Sequence, residues 1–360
     1  MSEEVYRKLA GVLDTLPNGF PATETGIELK ILKKVFTPEE AELFCDLRLS
    51  FETPQQIAQR TGRPLEGLEE MLTAMWRERG QILGIDGGSL KLFKMVPWAV
   101  GIYEYQVDRM DAELARLCNE YNRIFSHQFF AVKPQQTRVI PVETTVPDKT
   151  ETLPYEQVST LIEKGQSFAV GECVCRKEQR LLGRGCDRPL EVCMAIAPVP
   201  GLFDNYHWGR PITKKEAYEL IRYCEEIGLV HQTLNVEKGH FFICNCCGCC
   251  CGILRSINEL GIRDAINSNY IARIDPALCS GCGICADERC QVSAIEERGD
   301  VWHVIEERCI GCGLCVTTCP MEAVTLVRKT PEEQDTPPQN EQEWFRERGR
   351  QRGVDFSRFA

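Results

Sequence analysis

The sequence has no run near the 18–20 consecutive apolar residues that a membrane-crossing helix needs, so no membrane insertion is expected. Its first ten residues carry Glu3, Glu4, Arg7 and Lys8 with no apolar stretch behind them, which argues against a secretory leader and for a cytoplasmic location. Basic residues are in deficit: 42 Lys and Arg stand against 53 Asp and Glu, a net charge of −11, so no nucleic-acid partner is expected. Histidine is scarce. The five present (His127, His207, His231, His240, His303) have no metal-binding spacing and follow no Cys-x-x-Cys pair, which excludes covalent haem. There is also no nucleotide-binding glycine pattern, because Gly281/Gly283 and Gly311/Gly313 fall inside cysteine loops.

What the chain does have is cysteine, 21 in 360 residues. In a reducing compartment a disulfide framework is excluded, and metal ligation becomes the leading use for so many thiols. They are spread unevenly. Cys45 and Cys118 stand alone, eleven lie from Cys173 to Cys251, and eight lie from Cys279 to Cys319. Together with the Pro-bearing stretch Lys133 to Pro154, this predicts an α+β chain of several parts. These are a helical region over 1–132, a linker over 133–154, a cysteine-rich domain over 155–269, a further domain over 270–328 and a charged tail over 329–360. A helix is expected in the tail near Asn340 to Gln351.

In the first region, Thr37-Pro38-Glu39-Glu40 and Thr53-Pro54-Gln55-Gln56 are both helix starts, with Thr as cap and Pro at the first position. A third helix is expected from Pro64 on the spacing of Leu65, Leu68, Met71, Leu72 and Met75. Two strands then surround Asp86-Gly87-Gly88. Three helices and a hairpin over Thr37 to Phe93 resemble a winged helix. The helix that would enter a DNA groove carries Glu66, Glu69 and Glu70, and residues 37–100 hold seven basic against ten acidic side chains. Protein docking therefore fits better than DNA binding. Val107, Met110, Leu114, Leu117, Tyr121 and Ile124 mark a long amphipathic helix beyond.

The clearest motif is a pair of runs near the end. Cys279, Cys282 and Cys285 are followed by Cys290, and Cys309, Cys312 and Cys315 by Cys319-Pro320. Two-residue gaps let three thiolates from one tight loop grip one face of an inorganic cube, whereas zinc ribbons use spaced pairs. From Ile274 to Val327 the chain resembles bacterial-type ferredoxins with two 4Fe–4S clusters. The resemblance implies that the fourth cysteine of each run serves the other run's cluster. One cluster would take Cys279, Cys282, Cys285 and Cys319, the other Cys309, Cys312, Cys315 and Cys290. Two departures stand out: four residues rather than three precede Cys290, and Gln291 replaces the usual proline.

The middle cysteines form two stretches, each expected to follow a strand: Cys173, Cys175, Cys186 and Cys193, then Cys244-Asn-Cys246-Cys247-Gly-Cys249-Cys250-Cys251. The first four suffice for one site. In the second, Cys244, Cys247 and Cys250 repeat the two-residue gaps of the later triplets. At least one further iron–sulfur cluster is expected here, with a zinc site at Cys173, Cys175, Cys186 and Cys193, or redox-active dithiols at Cys246, Cys247 and Cys249, as alternatives. Arg176, Lys177, Arg180, Arg184 and Arg188 could offset the charge of such a site. Thr213 to Glu216 is a capping box opening a helix between the stretches, and Cys224 on that helix, like Cys45 and Cys118, reads as a packing residue. The join of a ferredoxin domain to a cysteine-rich domain resembles iron–sulfur subunits of anaerobic oxidoreductases. The expected role is single-electron relay to redox partner proteins, with no catalytic residue assigned. The alternatives are a reductase with substrate at the middle-domain cluster and a redox-sensing winged-helix regulator.

Overall fold

A computed structural model describes residues 2–88, 90–146, 152–204 and 208–360. Pro147 of the expected linker and His207 lie outside the described residues. Helices and strands are both well represented, in keeping with the α+β class. The chain divides into two compact units, one of Met1–Lys133, Lys177–Gly183 and Phe345–Ala360, the other of Pro134–Arg176 and Arg184–Trp344.

The first unit is mainly helical. Helices Pro38–Phe44 and Pro54–Thr61 both begin in the capping boxes anticipated from Thr37 and Thr53, each Thr hydroxyl accepting from the third backbone N–H. The third helix is Leu68–Arg77, starting later than Pro64, and it buries Leu68, Leu72 and Met75 while Leu65 and Met71 stay exposed. Strands Ile82–Asp86 and Lys91–Met95 pair antiparallel. The long helix runs Ala112–Phe130, capped by Asp111, and its buried stripe continues through Phe125 rather than the exposed Ile124. In the former tail, Arg348 of helix Glu341–Arg352 is fully buried, its guanidinium donating to the carbonyls of Pro17, Val132 and Phe129.

The second unit is built on a six-stranded antiparallel sheet. Its order is Thr137–Ile140, Val230–Leu234, Phe242–Cys246, Glu191–Ala197, Ser167–Glu172 and Arg210–Ile212. Thus the segment expected as a linker supplies an edge strand. Successive strand residues face opposite sides. One face carries Phe168, Val170, Met194, Ile196 and Ile243, packed against Val158, Leu161, Ala217 and Ile221 from helices Val158–Lys164 and Lys214–Glu226. The other face is left for Cys193, Cys244 and Cys246. Beyond the sheet, strands Tyr270–Ile274 and Val324–Arg328 pair with each other, as do Ile295–Arg298 and Val301–Val304. They enclose a small core of Ala272, Cys285, Cys315 and Val324.

Candidate metal centres

The later cysteine runs sit in two loops of the second unit. Cys279, Cys282, Cys285 and Cys319 line one pocket, with Ile274, Trp302 and Val324 among its walls. Cys309, Cys312, Cys315 and Cys290 act electrostatically on one another as a second set. Each triplet therefore faces the fourth cysteine of the other run. Burial pushes the Cys285 thiol up to about 11 and the Cys312 thiol up to about 12, so these thiols need a positively charged partner to ionise at neutral pH. Two sets of four thiols, each among apolar walls, fit the four-thiolate requirement of a cubane cluster. Backbone amides aim at the sulfurs: Ala272 N donates to Cys309 Sγ at 3.4 Å and Ala294 N to Cys290 Sγ at 3.1 Å. At Gly311 the φ of 61° and the closeness of the Tyr270 carbonyl, 2.1 Å from where a Cβ would stand, admit only glycine.

Both sequence departures have a structural account. The additional residue before Cys290 is absorbed in a single π-turn, Cys285–Arg289, in which Cys290 N donates to Cys285 O at 3.1 Å. Arg289 in that turn donates to the carbonyls of Glu225, Glu226 and Leu314, which holds the loop in place. Gln291, where proline could offer no such contact, accepts from Gly248 N through Oε1 at 2.9 Å, and its carbonyl accepts from Asn258. A Cβ on Gly248 would lie 1.9 Å from that carbonyl oxygen. The Cys290 loop is thus fitted against the Cys244–Cys251 loop.

The middle cysteines regroup. Cys186 joins Cys247, Cys249 and Cys250, whose sulfurs all lie within 4.8 Å of one another, with Cys186 to Cys247 and to Cys250 both 3.8 Å. Arg176 is fully buried and donates to Cys247 Sγ at 3.4 Å, as well as to the carbonyls of Pro189 and Asn245. Hydrogen bonding from Cys249 and Cys250, joined by the Arg176 charge, holds the Cys247 thiol well below the usual thiol range. Of the five basic residues expected near this loop, Arg176 contacts a thiol and Arg188 bonds the Ile227 carbonyl.

Cys173, Cys175 and Cys193 pack in one cluster with Cys186, Cys247 and Cys250. Cys193 and Cys244 meet because their strands are neighbours: Met194 pairs with Ile243, so one step on Cys193 opposes Cys244. The bonds from Cys173 and Cys244 pull the Cys193 thiol down to about 5. Cys249 is the participant in the four-thiol group that triplet spacing missed. The available signal was strand parity, which sends Cys244 and Cys246 to one face and releases Cys247 to the other. Among the described residues, no histidine joins a metal-competent group.

Comparison with known proteins agrees at the C-terminal runs. A 4Fe-4S dicluster domain family matches residues 272–326. The chain is also similar to an uncharacterized ferredoxin of Methanocaldococcus jannaschii, 37% identical over 92 residues, which cover 24% of this chain and 52% of that protein. The chain thus spans about half the length of the curated relative that it matches. No solved structure matches it. The family match does not reach the winged-helix-like region over 37–93. Among the described residues, no helix is long and apolar enough to cross a membrane.

Proposed function

We propose that this protein is an iron–sulfur electron carrier that serves redox partner proteins. Cys279, Cys282, Cys285 and Cys319 would hold one 4Fe–4S cluster, and Cys309, Cys312, Cys315 and Cys290 the other. Such clusters, with every iron capped by thiolate, supply one-electron transfer. The observation that carries this reading is the crosswise meeting of each triplet with the fourth cysteine of the other run. The chain's own contribution is to fix these thiols, to aim the Ala272 and Ala294 amides at the sulfurs, and to wall the first set with Val324, Trp302 and Ile274. The Gln291–Gly248 junction favours onward transfer into the cysteine-rich region, where the notional acceptor is a further metal–thiolate centre.

The winged-helix-like segment over 37–93 we read as a docking module for a protein partner. A second reading, a reductase with substrate at the middle-domain centre, draws on one observation: Cys249 of the four-thiol group is exposed. Electron paramagnetic resonance of that centre with candidate ligands separates the two, since a pure relay gives a signal that no ligand moves. The main reading is tested by anaerobic iron and sulfide quantitation. At least about eight iron atoms per chain are expected, four per cluster. Four or fewer after anaerobic reconstitution would sink it.

A further inference from the structure

The spacing of the four-thiol group limits what it can hold. Cys186 Sγ stands 3.8 Å from both Cys247 Sγ and Cys250 Sγ, and Cys249 Sγ stands 3.6 Å from Cys250 Sγ. Four thiolates placed tetrahedrally around one ion, with metal–sulfur bonds of about 2.3 Å, stand about 3.8 Å apart. On a cubane each thiolate binds a different iron, so the width of the inorganic core is added to that spacing. The protein itself shows the contrast. All four sulfurs of this group lie within 4.8 Å of one another, whereas among the described residues no three sulfurs of either ferredoxin-type set do.

The backbone and one cation support the same conclusion. Cys247 O accepts from Cys250 N at 3.3 Å and from Cys251 N at 3.1 Å, a tight turn after strand Phe242–Cys246 that gathers three of the sulfurs. Cys186 meets them from the loop ahead of strand Glu191–Ala197. Cys247 and Cys250 are buried, while Cys249 faces solvent. Arg176 is fully buried, and its partners are the carbonyls of Pro189 and Asn245 and, at 3.4 Å, Cys247 Sγ. Among the described residues no carboxylate pairs with it. A buried guanidinium needs an anion, and a thiolate at Cys247 is the one within reach. A divalent ion carrying four thiolates remains anionic, so Arg176 offsets part of its charge from outside the coordination sphere.

We propose that Cys186, Cys247, Cys249 and Cys250 hold a single tetrahedrally coordinated divalent metal ion, zinc or iron, in place of a further cubane. The assignment goes beyond the electron-carrier reading and does not depend on it. The test uses the full chain, supplied with both metals and purified without oxygen, as wild type, as Cys186→Ser/Cys250→Ser and as Cys249→Ala. Iron, zinc and sulfide are quantified, with zinc-edge X-ray absorption and Mössbauer spectra. The double variant is expected to lose about one metal ion per chain and no sulfide. Cys249→Ala, altered only at an exposed position, is expected to release that ion to a chelator that the wild type resists. Zinc with four sulfurs at about 2.3 Å marks a structural pin between the two loops, and a mononuclear high-spin iron component marks a one-electron acceptor. Loss of iron and sulfide together in equal amounts overturns the proposal, because the site is then a cluster. Unchanged metal in the double variant, or full retention by Cys249→Ala against the chelator, overturns it as well. The signals of the ferredoxin-type clusters report folding of the variants. Their absence from the wild type would overturn the function proposed above, while the count at the four-thiol site is read separately.

Discussion

Burial raises the pKa of a thiol because the thiolate loses its hydration, and this separates packing cysteines from ligands. Cys45 is pushed up to about 11 and Cys224 up to about 12, and burial also raises Cys118, aided by Glu178. Each of the three is buried, in keeping with a packing role. A thiol whose folded pKa lies above its unfolded value favours the fold while protonated. For Cys45 that contribution is complete below pH about 9 and is lost as pH rises through about 11. Denaturant titrations of wild type and Cys45→Ala should therefore show the wild type losing more stability over that range, with identical iron content in both. A lower iron content in Cys45→Ala would contradict the packing role. The ligand thiols were legible as residue types but not as groups. Nothing in the spacing of Cys186 says that its sulfur meets those of Cys247, Cys249 and Cys250, some sixty residues later.

Local signals with short range were the most readable elements. The box at Thr213 forms as anticipated, with its hydroxyl accepting from Glu216 N, and helix Lys214–Glu226 follows. Thr213→Ala should cost about 1 kcal/mol in chemical denaturation, leaving the metal content unchanged. The start of Leu68–Arg77 was misplaced because Pro64 and Leu65 fit a helical pattern, yet the chain turns at Gly67 with φ of 74° before the helix begins. The π-turn before Cys290 and the seat of Gln291 were not readable, since the first is held by Glu225, Glu226 and Leu314 and the second by Gly248, all distant in sequence. Gly248→Ala tests that seat. Its new methyl would collide with the Gln291 carbonyl, and a destabilisation of about 1–3 kcal/mol is expected, with a shifted spectroscopic signal from the cluster that Cys290 serves. An unchanged melting temperature and spectrum would show that the two loops are not held together.

At the scale of the whole chain, sequence order is a poor guide to neighbours. The sheet runs in an order that places the 137–140 strand beside 230–234, and the former tail contributes the buried Trp344, whose indole donates to the Gln135 carbonyl at 2.9 Å. Such pairings between residues roughly a hundred or more positions apart leave no periodic trace. The charge balance does survive as a whole-molecule property. With a net charge of −11, the protein should not be retained on duplex DNA at ~0.15 M salt in either redox state. Retention that follows the redox state would instead favour the regulator reading.

The ferredoxin-type triplets each lie within seven consecutive residues, whereas Cys193 and Cys244 become neighbours only after two distant strands have paired. During synthesis, then, Cys193 emerges from the ribosome some fifty residues ahead of the thiol that will stand opposite it.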